Sequence, residues 1–183
     1  VGKALPYKQA FKEALLANAH GIDQVKIINS GLNSLTEFGR TTSPQFTLEE
    51  MTEAVSAGHQ LGLKTMVHAN GKEPVRIALE AGCHSLEHGF FMGRDNLKRM
   101  AEMNIFWVPT ACTMGAYADH LQDEVQSAMA RKNLDHQLEQ IAEAGHLGVK
   151  IALGTDAGSL GVHHGSSVAV ELKLLMRAGY GVE

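Results

Sequence analysis

The chain has 183 residues, a formal net charge of -4, 44% hydrophobic and 20% charged residues, enough for one domain with a sizeable core. Its mild acidity and lack of a basic run exclude a nucleic-acid backbone as partner. No apolar run approaches the roughly 20 residues that cross a membrane as a helix.

The predicted elements alternate from the start. "PYKQAFKEALLANA" at 6–19 reads as a helix, with Pro6 at its first turn and Phe11, Ala14 and Leu15 on one face. Gly21 ends it, and the β-branched "IDQVKIINS" is a strand. The stretch 30–46 is the longest irregular one, and long loops in compact domains are commonly functional. "TLEEMTEAVSAGHQLG" has the Thr47/Glu50 spacing of a capping box and a stripe of Leu48, Met51, Val55 and Leu61. "LKTMVH" follows as a strand, "EPVRIALEAG" as a short helix closed by Gly82, and "HSLEH" as a short strand. Asp95 is placed to cap a helix over "NLKRMAEM", before a strand "IFWVPT". One long helix is expected over about 119–145, then a fifth strand in "VKIALGTDAGS", and a last helix capped by Ser166 or Ser167 and ended by Gly179. A helix followed by five strand–helix pairs, with strands apolar on both faces, predicts a parallel sheet covered by helices.

In parallel α/β folds the chemistry gathers at the carboxyl ends of strands. Those ends here carry Lys26, His68, His88, Pro109-Thr110 and Asp156. Each has a structural reading when taken singly: a hydrogen-bonded His, a turn-capping Asp, a snorkelling Lys. Two imidazoles, a carboxylate and an amine on one rim together suit Zn²⁺ or a similar borderline metal. The other histidines divide by position. His20, His59 and His146 lie near helix C-termini, His120 and His136 on a polar helix as solvated groups, and His84 at the wrong end of its strand. His163 and His164 sit in a glycine-flanked loop within reach of a substrate.

"VHANG", "SLEHG", "VPT" and "GTDAGS…HG…EL…AG", in that order, resemble the amidohydrolase superfamily, in its imidazolonepropionase/prolidase-like branch of Xaa-Arg and Xaa-Pro dipeptidases. The resemblance runs from about Pro6 to Glu183 and implies a partial (β/α)₈ TIM barrel, strands 4 to 8, without the N-terminal strands and the β-sandwich of that family. Residues 1–183 would then be the C-terminal portion of a metal-dependent hydrolase barrel, as a single domain. The resemblance implies one or two divalent ions, zinc first among them. Lys26 falls on strand 4, His68 on strand 5, His88 on strand 6 and Asp156 on strand 8 as ligands, and a carboxylated Lys26 would bridge a binuclear pair. The implied reaction is cleavage of a small-molecule amide, either a dipeptide or an N-acyl amino acid, by metal-activated hydroxide with Asp156 as general base and then acid. Asn70 stands where some dipeptidases carry a tyrosine for the substrate carboxylate, and Tyr117 is the aromatic nearby that could substitute for it.

The chain departs from the family pattern in having no HxH pair, the strand-1 ligands of that family. Two further readings therefore stand beside the first. One is a cyclic-amide hydrolase or deaminase of the same superfamily. The other is a catalytically inactive fragment that binds metal, or that associates through its sheet edges with a second copy or with the missing barrel portion. Cys83 and Cys112 form no disulfide framework. With no charged-then-apolar leader at Val1, the expectation is a reduced, cytoplasmic protein, processed or part of something longer.

Overall fold

The computed structural model describes residues 13–17 and 21–181. Of the first expected helix, residues 13–17 are helical with Leu15 buried, while Pro6 and Phe11 lie outside the described residues. Four strands follow: β1 (Gln24–Ile28), β2 (Lys64–Ala69), β3 (Ser85–His88) and β4 (Phe106–Val108). They form one sheet in sequence order, all parallel. The connecting helices are α1 (Leu48–Gln60), α2 (Lys72–Glu80) and α3 (Arg94–Met103), with α4 (Cys112–His120), α5 (Glu124–Leu147) and α6 (Ser167–Arg177) completing the chain. No helix among the described residues is long and apolar enough to cross a membrane.

The pleat explains which face the helices cover. Ile27 pairs with Val67, Val67 with Leu86 and Leu86 with Trp107, so these four share one face, and all are buried under the helices. The opposite face begins with Gln24, Lys26 and Ile28, all exposed, and carries Phe106 as well. Adjacent parallel strands in chain order, with helices on one face only, make this α/β sheet a part of a (β/α)₈ barrel whose inner face lies open. Ile28 (52%) and Phe106 (44%) remain exposed there.

Four local expectations are corrected. The fifth strand is reduced to one bridge, Ile151 to Trp107, flanked by Trp107 N–H to the Lys150 carbonyl (2.9 Å) and Ala152 N–H to the Trp107 carbonyl (2.8 Å). β4 is three residues long, so it templates little beyond that bridge. The helix expected over 119–145 is two helices separated at Leu121–Asp123, where Asp123 caps α5 through the Gln126 N–H (3.0 Å). The first of these, α4, carries Tyr117. Asp95 sits in the first turn of α3; the cap position is Gly93, at φ +77, where no side chain serves. The Ser166 and Ser167 side chains do not cap α6 either, since the Ser167 hydroxyl accepts instead from the His163 N–H (2.8 Å). The Thr47/Glu50 capping box is present in both directions.

Candidate metal centre

Alternation along the strands would send His68 and His88 to opposite faces. His68 pairs with Glu87, and His88 pairs with Ala69, so the two histidines are out of phase across β2 and β3. Backbone geometry restores the match. His88 ends β3 at φ +67, a left-handed conformation that few non-glycine residues adopt, and its ring meets that of His68 with centroids 4.4 Å apart. Thr110, ending the β4 segment, and Asp156, in the turn after residue 151, are left-handed too, at φ +48 and +52. Each such residue costs on the order of 1–3 kcal/mol and persists where surrounding structure holds it, which occurs most at functional sites.

The surroundings of His88 do hold it. Its carbonyl accepts from Trp107 Nε1 (3.0 Å) and from Gln137 Nε2 (2.6 Å), and Gln137 also donates to the Pro109 carbonyl (3.3 Å). Its Nδ1 lies 2.7 Å from the Thr110 hydroxyl. Burial pushes the His88 imidazole down to about 3, with the neighbouring His68 and Lys26 adding to the effect. Burial likewise holds His68 below its ordinary value; Lys26 adds to this, while the Gly31 carbonyl and the Asp156 carboxylate work the other way. Both rings are therefore neutral at pH 7, the form that ligates metal. His68 Nε2 lies 3.4 Å from the Gly31 carbonyl, which can only accept.

Lys26 is exposed on the open face, two residue pairs before the Ile28–His68 pair, and its charge reaches His68 and His88. Asp156 is exposed in its turn, and its charge is felt at His68 and at Glu87. Glu87 shares the open face with Lys26; burial raises its pKa, and its Oε1 accepts from the Ser85 hydroxyl (2.7 Å). The sequence reading passed over Glu87, although its period-two spacing from Ser85 marks it as inward-facing. Among the described residues, no group of three or more His, Cys, Asp or Glu side chains is gathered tightly enough to hold an ion. The fit is thus that of two preset nitrogen donors, with Lys26 and Asp156 approaching from the open side.

Of the four further candidates, Asn70 meets the pair through the Gly31 carbonyl that His68 also faces, and the other three lie on α4 and in the turn before α6. Asn70 is buried and its amide is engaged: Oδ1 accepts from the Phe90 N–H (3.0 Å) and Nδ2 donates to the Gly31 carbonyl (3.4 Å). It ties the loops after β1, β2 and β3 together, with Ser30 Oγ accepting from its own N–H (2.9 Å). Tyr117 is half-buried against the core. His163 and His164 are exposed in the turn before α6. His136, expected in solvent, is half-buried against Phe91, with ring centroids 4.6 Å apart. It borders an open cleft of about 630 Å³ that Thr41, Lys72 and Phe91 also line, beside the ends of β2 and β3. His59 and His84 meet at the other end of the sheet, Nε2 to Nδ1 at 3.2 Å.

The chain is similar to known proteins along nearly its whole length. It is 27% identical to ochratoxinase of Aspergillus niger over 162 residues, which are 87% of this chain and 32% of that protein. The crystal structure of a Xaa-Pro dipeptidase with methionine in its active site superposes with a TM-score of 0.75 at 29% identity, over 98% of this chain and 48% of that one. The structure of A. niger ochratoxinase gives 0.76 at 25% identity, over 94% and 39%. The chain therefore spans about a third of the length of the first curated relative and less than half of those two structures. The sequence profile of the amidohydrolase family matches residues 5–182, and the chain belongs to that family.

Proposed function

We propose that this chain forms the C-terminal barrel portion of a metal-dependent hydrolase that cleaves an amide bond in a dipeptide or an N-acyl amino acid. The observation that carries the reading is the contact of two buried imidazoles, His68 and His88, at the carboxyl ends of neighbouring parallel strands. The relatives add to it, one being named a Xaa-Pro dipeptidase and the other an ochratoxinase.

His68 and His88 would hold a divalent ion, zinc by the preference of imidazole nitrogen, with Asp156 and Lys26 as the donors from the open side. When bound, such an ion supplies Lewis acidity and a nucleophile at neutral pH. A carboxylated Lys26 would offer anionic oxygens in place of an ammonium that repels a cation. Asp156, a carboxylate in a left-handed turn facing solvent, accepts the proton of the attacking water and returns it to the leaving nitrogen. The Thr110 hydroxyl keeps the His88 ring in place during this exchange.

Elemental analysis of chain purified without chelators, beside His68→Ala and Asp156→Asn, tests the site. About one or two zinc-like ions in the native chain, reduced in both variants, support it; no metal in any sample sinks it. Hydrolysis of N-acyl amino acids and dipeptides then tests the reaction, and full turnover by Asp156→Asn would remove that residue from the mechanism.

A further inference from the structure

Glu171, on α6, is fully buried, and the proton transfers above make no use of it. A lone carboxylate in a protein interior is costly, by several kcal/mol, unless it is met by charge-assisted hydrogen bonds. Both of its oxygens are so met: Oε1 accepts from the Ala111 N–H (3.0 Å) and Oε2 from the Cys112 N–H (2.7 Å). These N–H groups open α4, where the helix dipole also favours an anion.

The two residues held this way directly follow Thr110. A β-branched residue at φ +48 is a backbone outlier that needs external support, and the Thr113 hydroxyl bond to the Thr110 carbonyl (2.8 Å) supplies only part of it. The Thr110 hydroxyl makes a single contact among the described residues, with His88 Nδ1. Cys112 Sγ further reaches the carbonyl of Thr155, the residue before Asp156 (3.4 Å).

We propose that Glu171 is a positioning residue for the metal centre. By clamping the turn at 110–112 it presents the Thr110 hydroxyl as acceptor to His88 Nδ1–H, so that Nε2 keeps its lone pair for the ion. An imidazole free of such a partner exchanges between both tautomers; one whose Nδ1 proton is held ligates through Nε2 without reorganising. The same clamp, through Cys112, fixes the approach to Asp156. One carboxylate on the last helix thereby couples the ends of β3, β4 and the 151–156 segment. This inference rests on the metal-centre reading for its purpose, but not for its geometry.

The test is ¹⁵N-imidazole NMR of the metal-free chain at neutral pH, with the His88 signal assigned by its loss in His88→Gln, together with zinc titration. The native chain is expected to show His88 protonated at Nδ1. Glu171→Gln, which turns one acceptor into a donor facing an N–H, and Thr110→Val, which removes only the hydroxyl, are expected to move it toward the Nε2–H tautomer. Both are expected to weaken zinc binding about 10- to 100-fold. A native His88 already protonated at Nε2, or a tautomer unmoved in Glu171→Gln, overturns the proposal. If Glu171→Gln fails to fold, Thr110→Val decides in the same way. A native chain that binds no zinc but shows the tautomer shift would leave the positioning role standing and discard the metal reading.

Discussion

His88 shows why residue identity and residue placement are separate problems. Its presence at a strand end was legible from "SLEHG", but strand alternation alone turns it away from His68. The left-handed backbone that turns it back is held by Trp107 and Gln137, which lie 19 and 49 residues away in sequence. No local pattern encodes contacts of that range. His136 obeys the same logic: its helix looks polar in sequence, while Phe91, from another strand end, covers its ring. Its Nδ1 is buried without a hydrogen-bond partner among the described residues. Burial lowers the His136 pKa below its unfolded value, so the neutral ring's contribution is complete above about pH 6.5 and is lost as pH falls below that. His136→Phe is therefore expected to raise stability by about 1 kcal/mol, by removing an unsatisfied polar atom, and to flatten the loss as pH falls below about 6.5. Urea unfolding at several pH values checks this; an equally steep acid slope in the variant refutes the assignment. The two cysteines give a second check. Burial pushes the Cys83 and Cys112 thiols up to about 12, so neither is expected to react with a thiol reagent at neutral pH until urea unfolds the chain.

At the scale of elements, periodicity located α1, α2 and the first four strands within a few residues, because each has a cap, a closing glycine or a β-branched run. It failed where tertiary contact decides. "VKIALGT" has strand composition, yet it makes a single bridge, because β4 offers only three residues to pair with. The segment is instead held by side-chain fit: a methyl group at Gly154 would stand 2.5 Å from Val108 Cγ1. Gly154→Ala is expected to cost about 1–3 kcal/mol by this overlap and to displace the turn that carries Asp156. Val108→Ala should make room for the new methyl, so the double variant is expected to recover 0.5 kcal/mol or more relative to the sum of the singles. Additive losses in a denaturation cycle would show that the contact does not hold the segment.

For the whole molecule, the open inner face governs behaviour in solution. A complete (β/α)₈ barrel fills its interior with side chains from all its strands and has no sheet edge. Here Ile28 and Phe106 stay exposed on that face, and β1 is an edge strand of the sheet among the described residues. Exposure of this kind drives association in proportion to the apolar area it can hide. The chain spans 32% to 48% of the relatives compared above. In isolation the 183-residue chain is expected to self-associate at micromolar concentration, through this face and the β1 edge. Sedimentation velocity on the native chain and on an Ile28→Lys/Phe106→Lys variant separates this from general stickiness. The variant should shift toward monomer while its circular dichroism and its thermal midpoint stay unchanged, because neither side chain packs in the core. A native chain that remains monomeric, or a variant that associates equally, would mean that the open face is not the adhesive surface, and the helix-covered exterior would then have to supply it.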